Sequence, residues 1–266
     1  MTLTELYIFV LYLLIALTGL AVGSFLNVVI YRIPRGESIA YPASHCTSCG
    51  APIKWYDNIP VLSYILLRGK CRSCGEKISI RYPLVELLNA TSWVLCAVIS
   101  GKSPIYALIS LAISSILIAI AFIDIDHLLI FNRFTAALAL LGIAAVHFDA
   151  YTAWYDHIIG LGAAALVFFG IYYAARALLG CEGLGLGDVK LAIAAGLLLG
   201  WQKFLLAMIV SSIIASIVLL VLRKLRHDKR DSEYPFGPFL AFGIWFSMLF
   251  GEAVVNAYIN AIFSIL

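Results

Sequence analysis

Apolar runs of roughly 17–25 residues, the length at which an α-helix crosses a bilayer, recur along this chain. Eight can be read: 6–30, 84–100, 105–123, 131–147, 157–179, 189–202, 204–222 and 237–262. The composition agrees. Hydrophobic residues make up 63% of the chain and charged residues 12%, whereas a soluble domain is nearer half apolar and a quarter charged. The expected fold is therefore an all-α polytopic membrane protein with about eight transmembrane helices. No internal repeat or low-complexity stretch is evident. The first run lacks a basic leading region, is too long for the apolar core of a signal peptide and meets a basic stretch, so no cleavable signal is expected.

One substantial polar region interrupts the pattern, residues 32–83. It carries Pro34, Pro42, Pro52, Pro60 and Pro83 and four of the six cysteines, which marks a small extramembrane domain. The expected division is 1–31 as the first transmembrane helix, 32–83 as a cysteine domain and 84–266 as a membrane domain of about seven helices. Positive charge orients the whole. With the N-terminus outside and the helices alternating, the inner segments are 32–83, 124–133, 176–190 and 223–235. They hold all of the 18 basic residues except Lys102 and Lys203. Both termini are then outside, and the cysteine domain faces the cytoplasm.

The sixth run is short. Leu191 to Gly200 is about 15 Å of helix, too little for roughly 30 Å of hydrocarbon. A start near Leu186 lengthens it to a marginal span and puts Asp188 in the first turn of a membrane helix. The fourth run likewise needs to begin near Phe131.

Cys46-Thr47-Ser48-Cys49 and Cys71-Arg72-Ser73-Cys74 are two CxxC knuckles with 21 residues between them, each followed by glycine, Gly50 and Gly75. This spacing reads as a zinc ribbon in which four cysteines hold the metal tetrahedrally. The alternatives are two disulfides or four idle thiols, and a cytoplasmic location argues against disulfides. A closed four-cysteine site leaves no position for a substrate water, so the zinc is expected to be structural. Cys96 and Cys181 are read as small apolar packing residues.

Carboxylates in or beside apolar helices are costly and mark functional sites. Asp124 ends the third run, and Asp188 begins the sixth within Gly185-Leu186-Gly187-Asp188-Val189-Lys190. Both fall at the cytoplasmic face. Two carboxylates brought together in a low-dielectric site cannot both ionise cheaply, so the pair shares a proton. That is the condition for aspartic proteolysis, in which one carboxylate activates water and the other polarises the scissile carbonyl. Gly185 and Gly187 let backbone come close, to a partner helix or to an extended substrate. The plainer alternative is that each aspartate caps a helix. Asp126, two residues from Asp124, faces elsewhere and is read as solvated or interfacial, as is His127. Lys190 is a snorkelling cation or a contributor to binding.

These residues resemble the type IV prepilin peptidase family, leader peptidases of the GxGD type, over nearly the whole chain. Gly23-Ser24-Phe25-Leu26-Asn27 through Arg32-Ile33-Pro34 is similar to the family's first helix and its exit. The CxxC pairs, and the segment Trp55 to Tyr64 with Arg68-Gly69-Lys70 between them, are similar to its cytoplasmic zinc domain. Arg81-Tyr82-Pro83-Leu84-Val85-Glu86, the GxGD stretch around Asp188 and Pro235-Phe236-Gly237-Pro238 are similar to later helix entries. The resemblance implies a membrane aspartic endopeptidase of the bacterial inner membrane. It would cut the basic leader from prepilins or type II secretion pseudopilins after glycine, with Asp124 and Asp188 as the catalytic pair. One departure is Phe131, where the family usually has proline. Members with the cysteine domain also methylate the new N-terminal amine with S-adenosylmethionine. No glycine-rich nucleotide loop accompanies that activity here. Gly69, Arg81 and Glu86 are the methyl-transfer candidates, against readings as a turn glycine, a surface arginine and a helix-entry carboxylate. The expected partners are the protein substrate and membrane lipid, not nucleic acid. Two other classes compete: a proton-coupled secondary transporter using intramembrane aspartates, and a non-enzymatic zinc-domain scaffold of a secretion complex.

Overall fold

A computed structural model describes residues 2–99, 103–149, 152–180, 184–226 and 234–264; Cys181 lies outside them. They form α1 (Leu3–Arg32), α2 (Leu62–Leu66), α3 (Arg81–Ile99), α4 (Pro104–His127), α5 (Asn132–Phe148), α6 (Trp154–Leu179), α7 (Leu186–Arg226) and α8 (Gly237–Phe263). Six of these are long and apolar enough to cross a membrane, and α5 is a shorter apolar helix. The protein is a multi-pass membrane protein. Its backbone divides into two compact units, Met1–Gly101 and Lys102–Leu266.

In the first unit α1 and α3 run antiparallel, and small residues set how closely they approach. A Cβ on Gly19 would stand 2.9 Å from Cα of Ala90, and one on Gly23 would stand 2.7 Å from Cα of Glu86. Two glycines four apart give α1 a bare stripe, the device by which membrane helices pack where lipid offers no hydrophobic drive. Asparagine side chains sit beside the stripe. Asn89 Nδ2 donates to Gly19 O at 2.7 Å, and Asn27 Nδ2 donates to Tyr82 O at 3.1 Å. The α1 exit is tied to the following loop by Arg32, 5% exposed, whose guanidinium donates to Ser38 O and Pro42 O at 3.0 and 2.7 Å.

The second unit contains α4 to α8. The sixth and seventh apolar runs are both inside α7, divided by non-helical backbone at Gly200 (φ 74°, ψ 166°). Only glycine takes that conformation freely, and a Cβ there would also stand 2.9 Å from Thr152 Cγ2. The chain reverses at this point. Before it, Gly187 lies at Ile130 and Leu198 at Gly142, so the first limb runs alongside α5. After it, Lys203 lies at Gly251, and Ala207 and Ser211 at Gly243, so the second limb runs antiparallel to α8. The first limb also crosses α6 where Gly160 and Gly196 face each other's backbone with no room for a Cβ. It spans about 22 Å from Leu186 to Gly200, shorter than the hydrocarbon layer. The helix starts where the sequence required it to, and Asp188 occupies its first turn.

Candidate active site

Asp124 sits in the last turn of α4, 5% exposed. The helix ends four residues later, where Leu128 takes a left-handed conformation (φ 54°) and its N–H returns to Asp124 O at 2.9 Å. This is a helix-closing turn that glycine usually makes. The Asp124 side chain points to the start of α8, where Gly237 N–H donates to Oδ2 at 2.9 Å. Unpaired N–H groups at a helix N-terminus are a ready anion site. Gly237 is demanded by this contact, because a Cβ would stand 2.5 Å from Oδ2.

Asp188 approaches from α7, close enough to Asp124 for the two charges to interact. Its Oδ1 is buried without a hydrogen-bond partner. The two glycines beside it have different roles. Gly187 packs on the turn between α4 and α5, where a Cβ would stand 2.9 Å from Ile130 Cβ. Gly185 is exposed, and a Cβ there would meet the Asp188 carboxylate at 3.1 Å. One glycine therefore brings α7 against the connection that follows Asp124, and the other keeps the outer side of Asp188 clear. Lys190 is exposed and donates to Asn132 Oδ1 at 2.8 Å. Asp126 is exposed and His127 half-buried. Phe131 precedes α5 with φ −75° and ψ 136°. That φ is what a proline ring would impose, so the helix start is reached without the proline.

In the first unit, Cys46, Cys49, Cys71 and Cys74 converge, with all four Sγ atoms within 4.8 Å of one another. None of the four is in a disulfide. Each knuckle is closed by the same bonds. Gly50 N–H donates to Cys46 O and Gly75 N–H to Cys71 O, both at 2.9 Å, while Cys46 and Cys71 N–H donate to Ala51 O and Glu76 O at 2.9 and 2.8 Å. Both glycines are left-handed, φ 72° and 73°. Backbone N–H groups of Cys49 and Ser48 pull the Cys46 thiol down to about 6. Cys74, although a bond from Glu76 pulls it down, is pushed up to about 12 by burial and by the other three thiols. The cluster can hold a metal ion.

A cavity of about 430 Å³ opens beside this cluster, and Glu86 is on its wall. Gly69 (φ 65°) lies under Tyr64, where a Cβ would stand 2.9 Å from the hydroxyl. Arg81 begins α3. Neither of these two is part of the cavity wall. Gly237 is the site residue that sequence reasoning did not single out. Its signal was present, a glycine between two prolines at a helix entry, but its partner is 113 positions away.

Residues 17–100 match the family model described as the bacterial peptidase A24 N-terminal domain, and residues 111–220 match the type IV leader peptidase family. A prepilin leader peptidase/N-methyltransferase of Aeromonas salmonicida is 36% identical over 275 residues, covering 94% of each chain. Proteins of the same name from Pseudomonas aeruginosa and Myxococcus xanthus are similar too. The first is 33% identical over 92% of both chains, and the second is 39% identical over 75% of this chain and 59% of its own. No solved structure matches. Two family models in tandem and full-length relatives above 30% identity lead to one conclusion: this chain belongs to the type IV leader peptidase family.

Proposed function

We propose that this chain is a membrane aspartic endopeptidase that cuts the basic leader from type IV prepilins or type II secretion pseudopilins after glycine, and then N-methylates the new terminus. The observation that carries the proteolytic half is the approach of Asp124 and Asp188 from separate helices, one tethered by a backbone N–H and the other with a free oxygen. In this mechanism the Gly237 N–H orients the Asp124 carboxylate, and the free Asp188 oxygen meets water or substrate. One carboxylate takes a proton from the attacking water, and its protonated partner donates to the scissile carbonyl. Gly185 leaves room for an extended substrate backbone. A prepilin places an apolar helix in the bilayer and its basic leader at the inner face, so its scissile bond meets the membrane surface. In this reading the protein sits in the bacterial inner membrane with both aspartates and the cysteine module facing the cytoplasm, the orientation that the basic residues favour.

The relatives' shared name joins peptidase to N-methyltransferase. In this reading zinc is held by Cys46, Cys49, Cys71 and Cys74 and is structural. S-adenosylmethionine, when bound, supplies the methyl group. The 430 Å³ cavity is within the range of small-molecule sites, about 300–1,000 Å³. Tyr31 and Tyr82 line it, and aromatic faces attract a cationic donor. Neither a transporter nor a scaffold accounts for a chain that carries both a glycine-flanked aspartate pair and a four-cysteine module.

Co-expression with a prepilin and mass spectrometry of the product test this directly. Wild type removes the leader and adds about fourteen mass units, one methyl group. Asp124→Asn and Asp188→Asn each leave the leader in place. Cleavage by either variant at the wild-type rate overturns the paired-aspartate assignment.

A further inference from the structure

Three carboxylates line the first unit's cavity, Asp57, Glu76 and Glu86, and only one is buried without a cation among the described residues. Asp57 is engaged by Arg72, whose Nε and Nη2 donate at 2.7 and 2.6 Å. Glu76 is exposed. Glu86 is 7% exposed, and the hydrogen bond it accepts comes from the neutral Val61 N–H at 2.7 Å. A buried carboxylate held by a neutral donor at a cavity wall is open to a cation from inside the cavity.

Its position is set by two backbone features. Gly23 lets α1 touch the α3 backbone at Glu86 itself, with 2.7 Å left for any Cβ. Val61 holds φ 59° and ψ −47°, a conformation that is a true outlier for a β-branched residue. That strained turn aims the Val61 N–H at the carboxylate. Strain of this kind persists where surrounding structure over-determines it, and it clusters at ligand sites.

We propose that Glu86 is an amine subsite: it binds the primary ammonium of the chain end freed by leader cleavage and takes its proton. The proposal rests on the methyl-transfer reading above. A protonated amine has no lone pair with which to attack, so the reaction needs a proton acceptor at the nitrogen. Glu86 takes that proton. The amine lone pair then forms the new N–C bond, while the C–S bond of the donor breaks with its electrons remaining on sulfur. The product leaves as a secondary ammonium, and Glu86 returns its proton to water.

The test is equilibrium binding to the full-length, zinc-loaded chain in nanodiscs, with no methyl donor present. The probes are a dye-labelled synthetic peptide opening with phenylalanine and its N-acetylated twin. Wild type binds the free amine about tenfold more tightly, the scale of a charge-assisted hydrogen bond. Glu86→Gln brings the two to parity, while Glu86→Asp, which keeps the charge, retains a preference. Metal content and melting temperature report whether each variant is folded. Equal binding of the twins by wild type overturns the proposal without any variant, and so does an undiminished preference in folded Glu86→Gln. A wild type that prefers the free amine but methylates no peptide refutes methyl transfer and leaves the subsite standing. Methyl transfer without any preference does the reverse.

Discussion

The second unit carries carboxylates at both ends and holds them in opposite ways. Beyond the far end of α5, the Asp149 side chain is 4% exposed and accepts from Lys203 Nζ at 2.9 Å, with His157 Nε2 at 4.0 Å. His157 is itself tied by Nδ1 to Leu197 O at 2.8 Å. That charge is matched by a lysine. At the near end Asp124 has a backbone N–H, and Asp188 has an oxygen with no partner. The far cluster spends its polar groups on joining α5, α6 and the α7 reversal. The near pair keeps part of its hydrogen-bonding capacity open. The same residue type serves as a fastening in one place and as a candidate catalyst in the other, and what surrounds the carboxylate makes the difference.

Asn substitutions separate the two most sharply. Asp124→Asn or Asp188→Asn should lower leader cleavage by roughly 10²–10⁴-fold, the usual contribution of general acid–base groups, while the melting temperature in detergent stays near that of wild type. A variant that unfolds instead would make the near pair a fastening as well. Lys203→Met should show the converse. Leaving Asp149 buried without its cation costs about 3–5 kcal/mol, on the order of a 10 °C fall in melting temperature for a unit of this size. The double variant Asp149→Asn/Lys203→Met should recover most of that loss. No recovery would mean the two side chains act separately.

A smaller effect probes how Asp124 is aimed. Gly237→Ala pushes a methyl group into the carboxylate, with 2.5 Å available to Oδ2, so Asp124 must turn away. Cleavage should fall about tenfold or more, since misplacing a catalytic group by around 1 Å is costly, with little change in thermal stability. Unchanged cleavage would show that the Gly237 N–H does not orient Asp124 for the reaction.

What could be read from the sequence follows the range of each interaction. Helix lengths are local, so the spans, the early start of α7 and the marginal α5 were legible. The cysteine knuckles were legible for the same reason, since four residues carry the turn and the ligands. Asp188 announced itself by cost, a charge between apolar runs. Gly200 and Lys203 were harder. The apolar runs divide at 203, whereas the helix breaks at Gly200. Lys203 is helical and 8% exposed, because its partner Asp149 is 54 positions away. The partner of Gly237 is more distant still. Glu86 read as a methyl-transfer candidate by resemblance, against a helix-entry carboxylate, and only the fold shows that Gly23 and Val61 enclose it.

Lys190 gives the finest discrimination. It is a cation two residues from Asp188, yet it donates to the Asn132 amide at 2.8 Å. At the far end a lysine closes the carboxylate, so the comparison requires that this one does not. An exposed hydrogen bond of this kind is worth about 0.5–1.5 kcal/mol, and Lys190→Met should therefore lower the melting temperature by no more than a few degrees. Cleavage should change less than about tenfold, well short of either aspartate variant. Cleavage as low as in Asp188→Asn would place the ammonium within the catalytic machinery, and the near end would then hold its charge with a lysine, as the far end does.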